Sequence, residues 1–254
     1  MDLFWTRPEP ARAPGPTLGR AEIVKAAVAI ADAEGAAAAT MRRVAAALGS
    51  STPMSLYRYV GSKDGLVDLM LDAVCGEIVP PAAPSGDWRA DLRDLARQNW
   101  EMMGRHPWYA ELVFTRPPLG PNALRQLDYG LSVLSMVDST TAMTYLSTIN
   151  GLTIGTALQA AEERKMRTRT GLRTDDDLRA AAAPVHDIIV ATGHYPHYNR
   201  WVADGGRFLE GDGFALVLDM LLDGIAARLP PVAPSGRPDT AHPAGEVPAA
   251  GPPP

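Results

Sequence analysis

The chain has 254 residues, of which 46% are hydrophobic and 21% charged, and its formal net charge is −5. This length can bury the core of one large or two modest domains, and the negative charge argues against nonspecific coating of nucleic acid. Cys75 is the single cysteine, which excludes an intramolecular disulfide, and the sequence has neither an apolar run of about 18 residues nor a signal-peptide pattern. We therefore expect a cytoplasmic protein without membrane association.

Prolines concentrate at the two ends of the chain, where thirteen of the 23 lie in residues 1–18 or 230–254. These segments carry too little apolar surface to offset the entropy of ordering them. We predict a disordered arm over residues 1–18 and a disordered proline-rich tail over residues 230–254. Arg7 and Arg12 of the arm could lie along a phosphate backbone, but a solvated leader is the better interpretation.

Apolar spacing and capping residues predict the first two helices. An amphipathic helix begins near residue 19, with Ile23, Val24 and Ala27 on one face. Thr40 is a candidate N-cap for the next helix, and Gly49 suits the left-handed residue that ends it. Two helices are therefore expected before residue 50.

Another short helix follows a tight turn. Pro53 suits the first helical position because its missing N–H needs no partner there, so Thr52 is the expected cap. Leu56 and Val60 should point inward. The other faces of this predicted helix carry polar, aromatic or adaptable side chains that can reach phosphates or base edges. These residues are Met54, Ser55, Tyr57, Arg58 and Tyr59. This arrangement predicts a helix-turn-helix.

The segment is basic although the whole chain is acidic. Residues 35–63 contain Arg42, Arg43, Arg58 and Lys63 and no Asp or Glu. Lys63 follows the cap candidate Ser62 and should open a helix that extends to about residue 78. The pattern predicts a small, localised surface for nucleic acid.

This part of the chain resembles the N-terminal domain of tetracycline-repressor-like (TetR family) transcription regulators. The resemblance covers about residues 18–76 and rests on three segments: RAEIVKAAVAIADAEG, ATMRRVAAALG and PMSLYRYVGSKDGL. One departure is that the spacing from Gly49 to Tyr57 is a residue longer than in many members. The resemblance implies binding to double-stranded operator DNA through Thr40, Arg42, Arg43, Thr52, Met54, Ser55, Tyr57, Arg58, Tyr59 and Lys63.

The rest of the chain also reads as helix, after a PPAAPSG linker at residues 80–86. Periodicity and breakers predict helices over about 87–104, 107–114, 122–137, 139–167, 174–192 and 212–228. No useful strand-like alternation appears. The predicted fold is all-α, with a three-helix DNA-binding domain over residues 19–79 and a helical ligand-binding and dimerisation domain over residues 87–229.

The second half resembles the effector and dimerisation domain of an actinobacterial-type branch of the same family, through HPWYAELV, RPPLGPN and GFALVLDMLLDGIAAR. The resemblance implies a homodimer in which helices 174–192 and 212–228 of each subunit form a four-helix bundle. It also implies a cavity within residues 87–167 that binds a small-molecule effector. The apolar stripe of the last helix, Phe214, Leu218, Leu221, Leu222 and Ile225, fits ordinary intramolecular core as an alternative.

Large or adaptable apolar side chains suit a cavity that excludes water. The candidates are Trp100, Met103, Trp108, Tyr109, Phe114, Met143 and Tyr145, although each could equally be plain core. Asn150, Thr153 and Gln159 are polar groups within the longest apolar helix, and a buried polar group there needs a partner. We favour Asn150 as a ligand contact.

Sequence motifs of catalysis are missing: there is no G-x-x-x-x-G-K-[ST], H-E-x-x-H, G-x-S-x-G or C-x-x-C. His194 and His197 have a spacing that could hold a metal, but a loop at GHYPHYN is the better interpretation. We therefore expect a non-enzymatic, ligand-responsive transcription regulator without metal or cofactor, acting as a repressor of a palindromic operator and released by a small apolar effector. The alternative is a helical protein that sequesters a small molecule without specific DNA binding.

Overall fold

A computed structural model describes residues 19–49, 52–205 and 213–230, and each regular element in these ranges is helical. The helices are α1 (Arg20–Glu34), α2 (Met41–Ala47), α3 (Met54–Val60), α4 (Lys63–Cys75), α5 (Trp88–Arg105), α6 (Pro107–Leu112), α7 (Pro121–Val133), α8 (Ser139–Thr170), α9 (Asp175–Ala191), α10 (Pro196–Ala203) and α11 (Gly213–Ala226), with a 3-10 turn at Ala36–Ala38. The predicted all-α class is confirmed. The predicted arm and nearly all of the predicted tail lie outside the described residues.

Local capping explains where several helices begin and end. The Thr40 hydroxyl accepts the Arg43 N–H at the start of α2, and Gly49 has a φ of +66° just after α2. The Ser62 hydroxyl accepts the Gly65 N–H at 2.9 Å and opens α4. These caps are those predicted, because each depends only on residues within one turn.

The start of α3 differs from the prediction by one residue. The helix begins at Met54, and Pro53 is its N-cap in the right-handed conformation. The Thr52 carbonyl accepts both the N–H and the hydroxyl of Ser55, at 3.3 and 2.8 Å. This tight three-residue turn moves the first helical residue past Pro53, so Thr52 is not the cap of α3.

The N-terminal helices share a core with the rest of the protein. α1 packs against α2, α3 and α4, while α4 also packs against α5 and α7. Ile23, Leu56 and Met70 belong to the same buried cluster as Met102 and Trp108. Because packing is continuous from α1 to α6, the position of α4 depends on helices of both parts.

The long helix α8 lies at the centre of the second half, in contact with α5, α6, α7 and α11. Here the structure favours the alternative interpretation of the apolar stripe of the last helix, as core within one subunit. Leu218 and Leu222 are 1% and 0% exposed, and they pack with Leu92 in a core formed by α5, α7, α8 and α11. The large hydrophobic side chains that α11 exposes are instead Leu216 and Met220, at 56% and 65%.

α9 and α10 pack on each other, and neither contains a buried residue. The loop predicted at GHYPHYN is wrong in its second part, since Pro196 occupies the first position of α10. In the part of the chain that the structure describes, no group of three or more His, Cys, Asp or Glu side chains could hold a metal ion. No helix among the described residues is long and apolar enough to cross a membrane.

Candidate nucleic-acid interface, effector cavity and the junction between them

One face of α3 is exposed, and it carries residues suited to base edges and phosphates. Met54 is 74% exposed and Tyr57 37% exposed, and Arg58 is exposed beside them. Leu56 and Val60 are fully buried on the opposite face, as predicted. The inward packing therefore fixes which side chains α3 can present to a groove.

Tyr59 is the predicted DNA contact that the structure moves into the core. Its ring is 4% exposed, and its carbonyl accepts a hydrogen bond from Arg20 Nε at 3.0 Å. The Arg58 guanidinium lies 5.6 Å from the centre of the Tyr59 ring. Tyr59 thus supports Arg58 from beneath and does not reach DNA with its own ring.

The cationic side chains predicted for this surface differ in whether an acidic side chain pairs with them. Arg43 forms a two-pronged ion pair with Glu34 of α1, and this hydrogen bond lowers the pKa of the Glu34 carboxyl. The ion pair lies at the surface, with the Arg43 side chain 46% exposed, and a contact of Arg43 with DNA stays a prediction. Arg42 and Lys63 are exposed, and no carboxylate among the described residues pairs with either side chain.

The N-terminus of α4 offers a place for a phosphate. Lys63 is its first residue. The Ser62 hydroxyl accepts a single N–H of the first turn, that of Gly65. Helix N-termini attract anions because their N–H groups lack partners within the helix. Lys63 itself is exposed to solvent at this helix start.

A cavity of about 280 Å³ lies between α4, α5, α7 and α8. Its wall is largely aliphatic, with polar groups at several points. The lining residues are Cys75, Leu92, Leu95, Ala96, Asn99, Tyr109, Pro118, Ala123, Leu124, Gln126, Leu127, Met143, Leu146, Ser147, Ile149, Asn150 and Thr153. Such a mixture of apolar surface and few polar groups is typical of small-molecule sites.

Two amides of the lining have fixed orientations. Gln126 Nε2 donates to the Cys75 carbonyl at 2.7 Å, which leaves Gln126 Oε1 to accept from Asn99 Nδ2 at 3.0 Å. Asn99 Nδ2 also donates to the Leu95 carbonyl at 2.9 Å. Both backbone carbonyls can only accept, so the network determines which end of each amide is nitrogen.

The two titratable groups of the lining are held neutral at physiological pH. Burial raises the pKa of the Cys75 thiol to about 11, opposed by the hydrogen bond with Tyr109 and reinforced by the negative charge of Asp72. Burial likewise raises the pKa of the Tyr109 phenol, with Cys75 and Asp72 adding to the rise. Cys75 Sγ and Tyr109 Oη lie 3.2 Å apart and share one hydrogen bond.

Among the sequence-predicted ligand contacts, Tyr109, Met143 and Asn150 line the cavity and five others do not. Trp100 stacks on Phe214, with ring centres 5.3 Å apart. Trp108 donates its indole N–H to Asp32. The remaining corrections are Met103, which is buried in the shared core, Tyr145, which packs against the second core, and Phe114, which is 63% exposed.

Asn99 and Gln126 are not among the ligand contacts predicted from the sequence, although the sequence contains a signal for both. Asn99 continues the apolar face of α5 that contains Leu92, Leu95 and Ala96, at helical spacing. Gln126 interrupts the corresponding face of α7 and is 8% exposed. A polar residue on a buried stripe needs a partner, and this rule would have identified both.

The start of α7 holds α4 through Asp72. The Asp72 carboxylate accepts the backbone N–H groups of Asn122 and Ala123 at 3.0 and 3.1 Å and the Asn122 side-chain amide at 3.0 Å. Burial raises the pKa of Asp72, and these hydrogen bonds oppose the rise. A Cβ on Gly120 would lie 2.2 Å from Asp72 Cγ, so only glycine permits this approach.

The segment before α7 adds an ion pair to the same helix. Arg116 Nε lies 2.6 Å from Asp68 Oδ1, and Arg116 Nη1 lies 3.3 Å from Asp64 Oδ2. Together, Asp64, Asp68 and Asp72 of α4 and Arg116, Gly120, Asn122 and Ala123 opposite them form what we term the α4 clasp. The α7 helix that forms one wall of the cavity is thus bonded to the helix that carries Lys63.

A second contact joins the DNA-binding helices to α5 and α6. The buried His106 places Nδ1 2.7 Å from Asp32 of α1 and Nε2 2.8 Å from Glu77, which follows α4. Trp108 Nε1 donates to the same Asp32 oxygen at 2.7 Å. Burial acts to raise the pKa of Glu77, but hydrogen bonds from Arg105 and His106 outweigh it and leave the pKa lowered.

Known families match both parts of the chain. The family model "Bacterial regulatory proteins, tetR family" matches residues 23–70, and "Tetracyclin repressor-like, C-terminal domain" matches residues 80–229. The chain is 38% identical over 231 residues to the HTH-type transcriptional repressor DrrR1 of Streptomyces coeruleorubidus, covering 89% of this chain and 84% of the relative. It is 37% identical over 131 residues to an HTH-type transcriptional regulator of Saccharopolyspora erythraea, covering 52% and 55%.

Solved structures of similar proteins agree with this family assignment. Apo ActR from Streptomyces coelicolor matches with a TM-score of 0.69 at 26% identity, covering 85% of this chain and 97% of that chain. ActR in complex with actinorhodin matches with a TM-score of 0.67 at 25% identity, covering 84% and 99%. The helix-turn-helix, the cavity and these relatives agree: the chain belongs to the TetR family and is a ligand-responsive, DNA-binding transcriptional repressor.

Proposed function

We propose that two copies of this chain bind a palindromic operator with α3 of each copy in the major groove, and that a small molecule in the cavity releases them. One observation carries the proposal: α4 begins at the exposed Lys63 and ends at the cavity-lining Cys75. A change at the cavity wall can therefore alter where the DNA-binding surface lies. DNA binding places the activity in the cytoplasm.

The contacts at the operator divide into two kinds. Lys63, Tyr57 and Arg42 are suited to phosphates and would set the register of the protein on the duplex. Met54, Ser55 and Arg58, on or beside the exposed face of α3, are suited to base edges. Thr40 caps the start of α2 and Thr52 lies in the turn before α3, where both would support the backbone contacts. In a dimer the two α3 helices must be ~34–36 Å apart to enter successive major grooves.

Release requires that the effector bind one conformer better than another. A difference of ~1–3 kcal/mol lowers operator affinity about 5–150-fold. The α4 clasp supports this step, because α7 contributes Ala123, Leu124 and Gln126 to the cavity and bonds to Asp72 of α4. The similarity to ActR, whose structure in complex with actinorhodin is known, supports a small-molecule effector here.

The proposed dimer surface includes the exposed face of α11. Leu216 and Met220 lie one turn apart, and burial of two such side chains against a second copy is favourable. Val185 and Ile188 on α9 are also exposed and would extend the surface. A four-helix bundle from α9 and α11 of each subunit agrees with this distribution of apolar residues.

The phosphate anchor is tested with Lys63→Ala. We expect weaker binding to every duplex sequence alike and a salt dependence flatter by about one unit of slope, because one ammonium contributes about one released counterion. Fluorescence anisotropy over a salt series measures both effects. Lys165→Ala, a change on the exposed surface of α8, is the matched control and should leave affinity and slope unaltered. An unchanged slope for Lys63→Ala would remove Lys63 from the interface.

Selection from a random duplex library at moderate salt tests the proposed function. Wild-type protein should enrich an inverted repeat. Met54→Ala, Ser55→Ala and Arg58→Ala should each change which base pairs are enriched, because each lost contact removes ~1–3 kcal/mol of discrimination between bases. If the three variants return the wild-type consensus, base reading lies elsewhere. If wild-type protein enriches nothing, sequestration of a small molecule becomes the better account.

The dimer surface is tested with the double change Leu216→Glu and Met220→Glu. Because both side chains are exposed in the subunit, the fold should persist while carboxylates at the interface dissociate the dimer and abolish tight operator binding. Sedimentation velocity and circular dichroism report the two properties. Leu119→Glu, at an exposed leucine before α7, is the control that should remain dimeric. A folded, dimeric double variant would place the interface on another surface.

A further inference from the structure

We infer that the cavity selects uncharged effectors and rejects anions, and that it recognises a hydrogen-bonding group of the effector through Asn99 and Gln126. This inference rests on the proposed function, in that it assigns the chemistry of the molecule that the cavity binds.

The lining offers no charge to an ionised ligand. Among the described residues that form it, none is Asp, Glu, Lys, Arg or His. Cys75 and Tyr109, the two lining residues able to ionise, have raised pKa values and stay protonated at neutral pH. An anion that enters would lose water without gaining a counter-charge, which costs several kcal/mol.

A negative charge acts on the inner wall of the cavity. The charge of Asp72, three residues before Cys75 on α4, contributes to the raised pKa of Cys75 and of Tyr109. The same charge opposes a carboxylate, sulfonate or phosphate at this end of the cavity. Anions are therefore disfavoured by desolvation and by repulsion together.

Asn99 and Gln126 leave defined positions for a neutral ligand. Both N–H groups of Asn99 are used, by the Leu95 carbonyl and Gln126 Oε1, while its Oδ1 accepts no hydrogen bond from the described residues. Gln126 Nε2 has donated one N–H to the Cys75 carbonyl and retains another. An acceptor and a donor on two lining residues that bond to each other suit a hydroxyl or carboxamide on an otherwise apolar molecule.

The rest of the lining fits an apolar body for that molecule. Leu92, Leu95, Leu127 and Leu146 provide aliphatic walls, and Met143 can adjust to different shapes. Met143, Ser147 and Asn150 are exposed on α8, so they border the opening of the cavity to solvent. The effector class is thus a neutral, largely apolar compound with one polar end placed inward.

Two matched probes test the inference: anthracene-2-carboxamide, which is neutral, and anthracene-2-carboxylate, which has nearly the same size and is ionised at pH 7.5. Direct binding to the full-length protein without DNA is measured by fluorescence titration. We expect the carboxamide to bind at least about tenfold more tightly than the carboxylate, because only the anion loses hydration without compensation. Equal or tighter binding of the carboxylate overturns the inference, and so does failure of both probes to bind.

Variants locate the binding. Leu124 lines the cavity and is 45% exposed, so the ammonium of Leu124→Lys remains hydrated in the free protein. This variant should gain at least about tenfold in carboxylate affinity through a charge-assisted hydrogen bond. Leu119→Lys adds the same charge at a 40% exposed leucine outside the cavity and should not. Equal gains in both variants would mean that the probes bind elsewhere, which also overturns the inference.

The polar end is tested with Asn99→Leu. We expect a loss of about fivefold or more in carboxamide affinity and little change for the carboxylate, with helix content retained by circular dichroism. Unchanged carboxamide affinity would contradict the role of Asn99. Operator binding by the same preparations is measured separately, so a failure of DNA recognition and a failure of the effector assignment give different results.

Discussion

The carboxylate of Asp72 is the contact on which the arrangement of this protein depends. It projects from α4 and accepts the first free N–H groups of α7, where Gly120, which has no Cβ, leaves room for the carboxylate. A helix N-terminus without such a partner would leave buried donors unsatisfied, so α7 and α4 stabilise each other's position. Arg116 adds ion pairs to Asp64 and Asp68 on the same helix, and α4 is thereby fixed against the domain that contains the cavity.

The cavity and the DNA-binding surface are connected because they share these elements. Gln126 and Ala123 on α7 line the cavity, Cys75 is the last residue of α4, and Lys63, the proposed phosphate contact, is its first. A second path runs from α1 through Asp32 to His106 and Trp108 on the effector side. A ligand that moves α7 by a fraction of an ångström acts on packed helices, and packed helices change position in discrete steps.

The features that could be predicted most accurately from the sequence are the helix ends, because they depend only on residues within one turn. Thr40, Gly49 and Ser62 cap or end helices within a single turn, so their roles could be read directly. The apolar stripe of α11 was ambiguous, because the same periodicity fits a core within one subunit or a seam between two, and Leu218 and Leu222 proved to be internal. The cavity depends on which helices meet. Trp100 and Trp108 found partners in Phe214 and Asp32, whereas the less conspicuous Asn99 and Gln126 face the open space.

The central claim is that the α4 clasp sets the position of the DNA-binding helices, and a distance between the two heads of the dimer tests it most directly. Spin labels at the exposed position Ala46 on α2, in a Cys75→Ser background, allow pulsed electron paramagnetic resonance measurements in the absence of DNA and effector. Gly120→Ala forces a methyl group into Asp72, whereas Gly104→Ala on α5 meets no atom within 4 Å and serves as the matched control. The account predicts one narrow distance for the background and for Gly104→Ala, and a shifted or broadened distribution for Gly120→Ala. The same narrow distance in a folded Gly120→Ala dimer would contradict it.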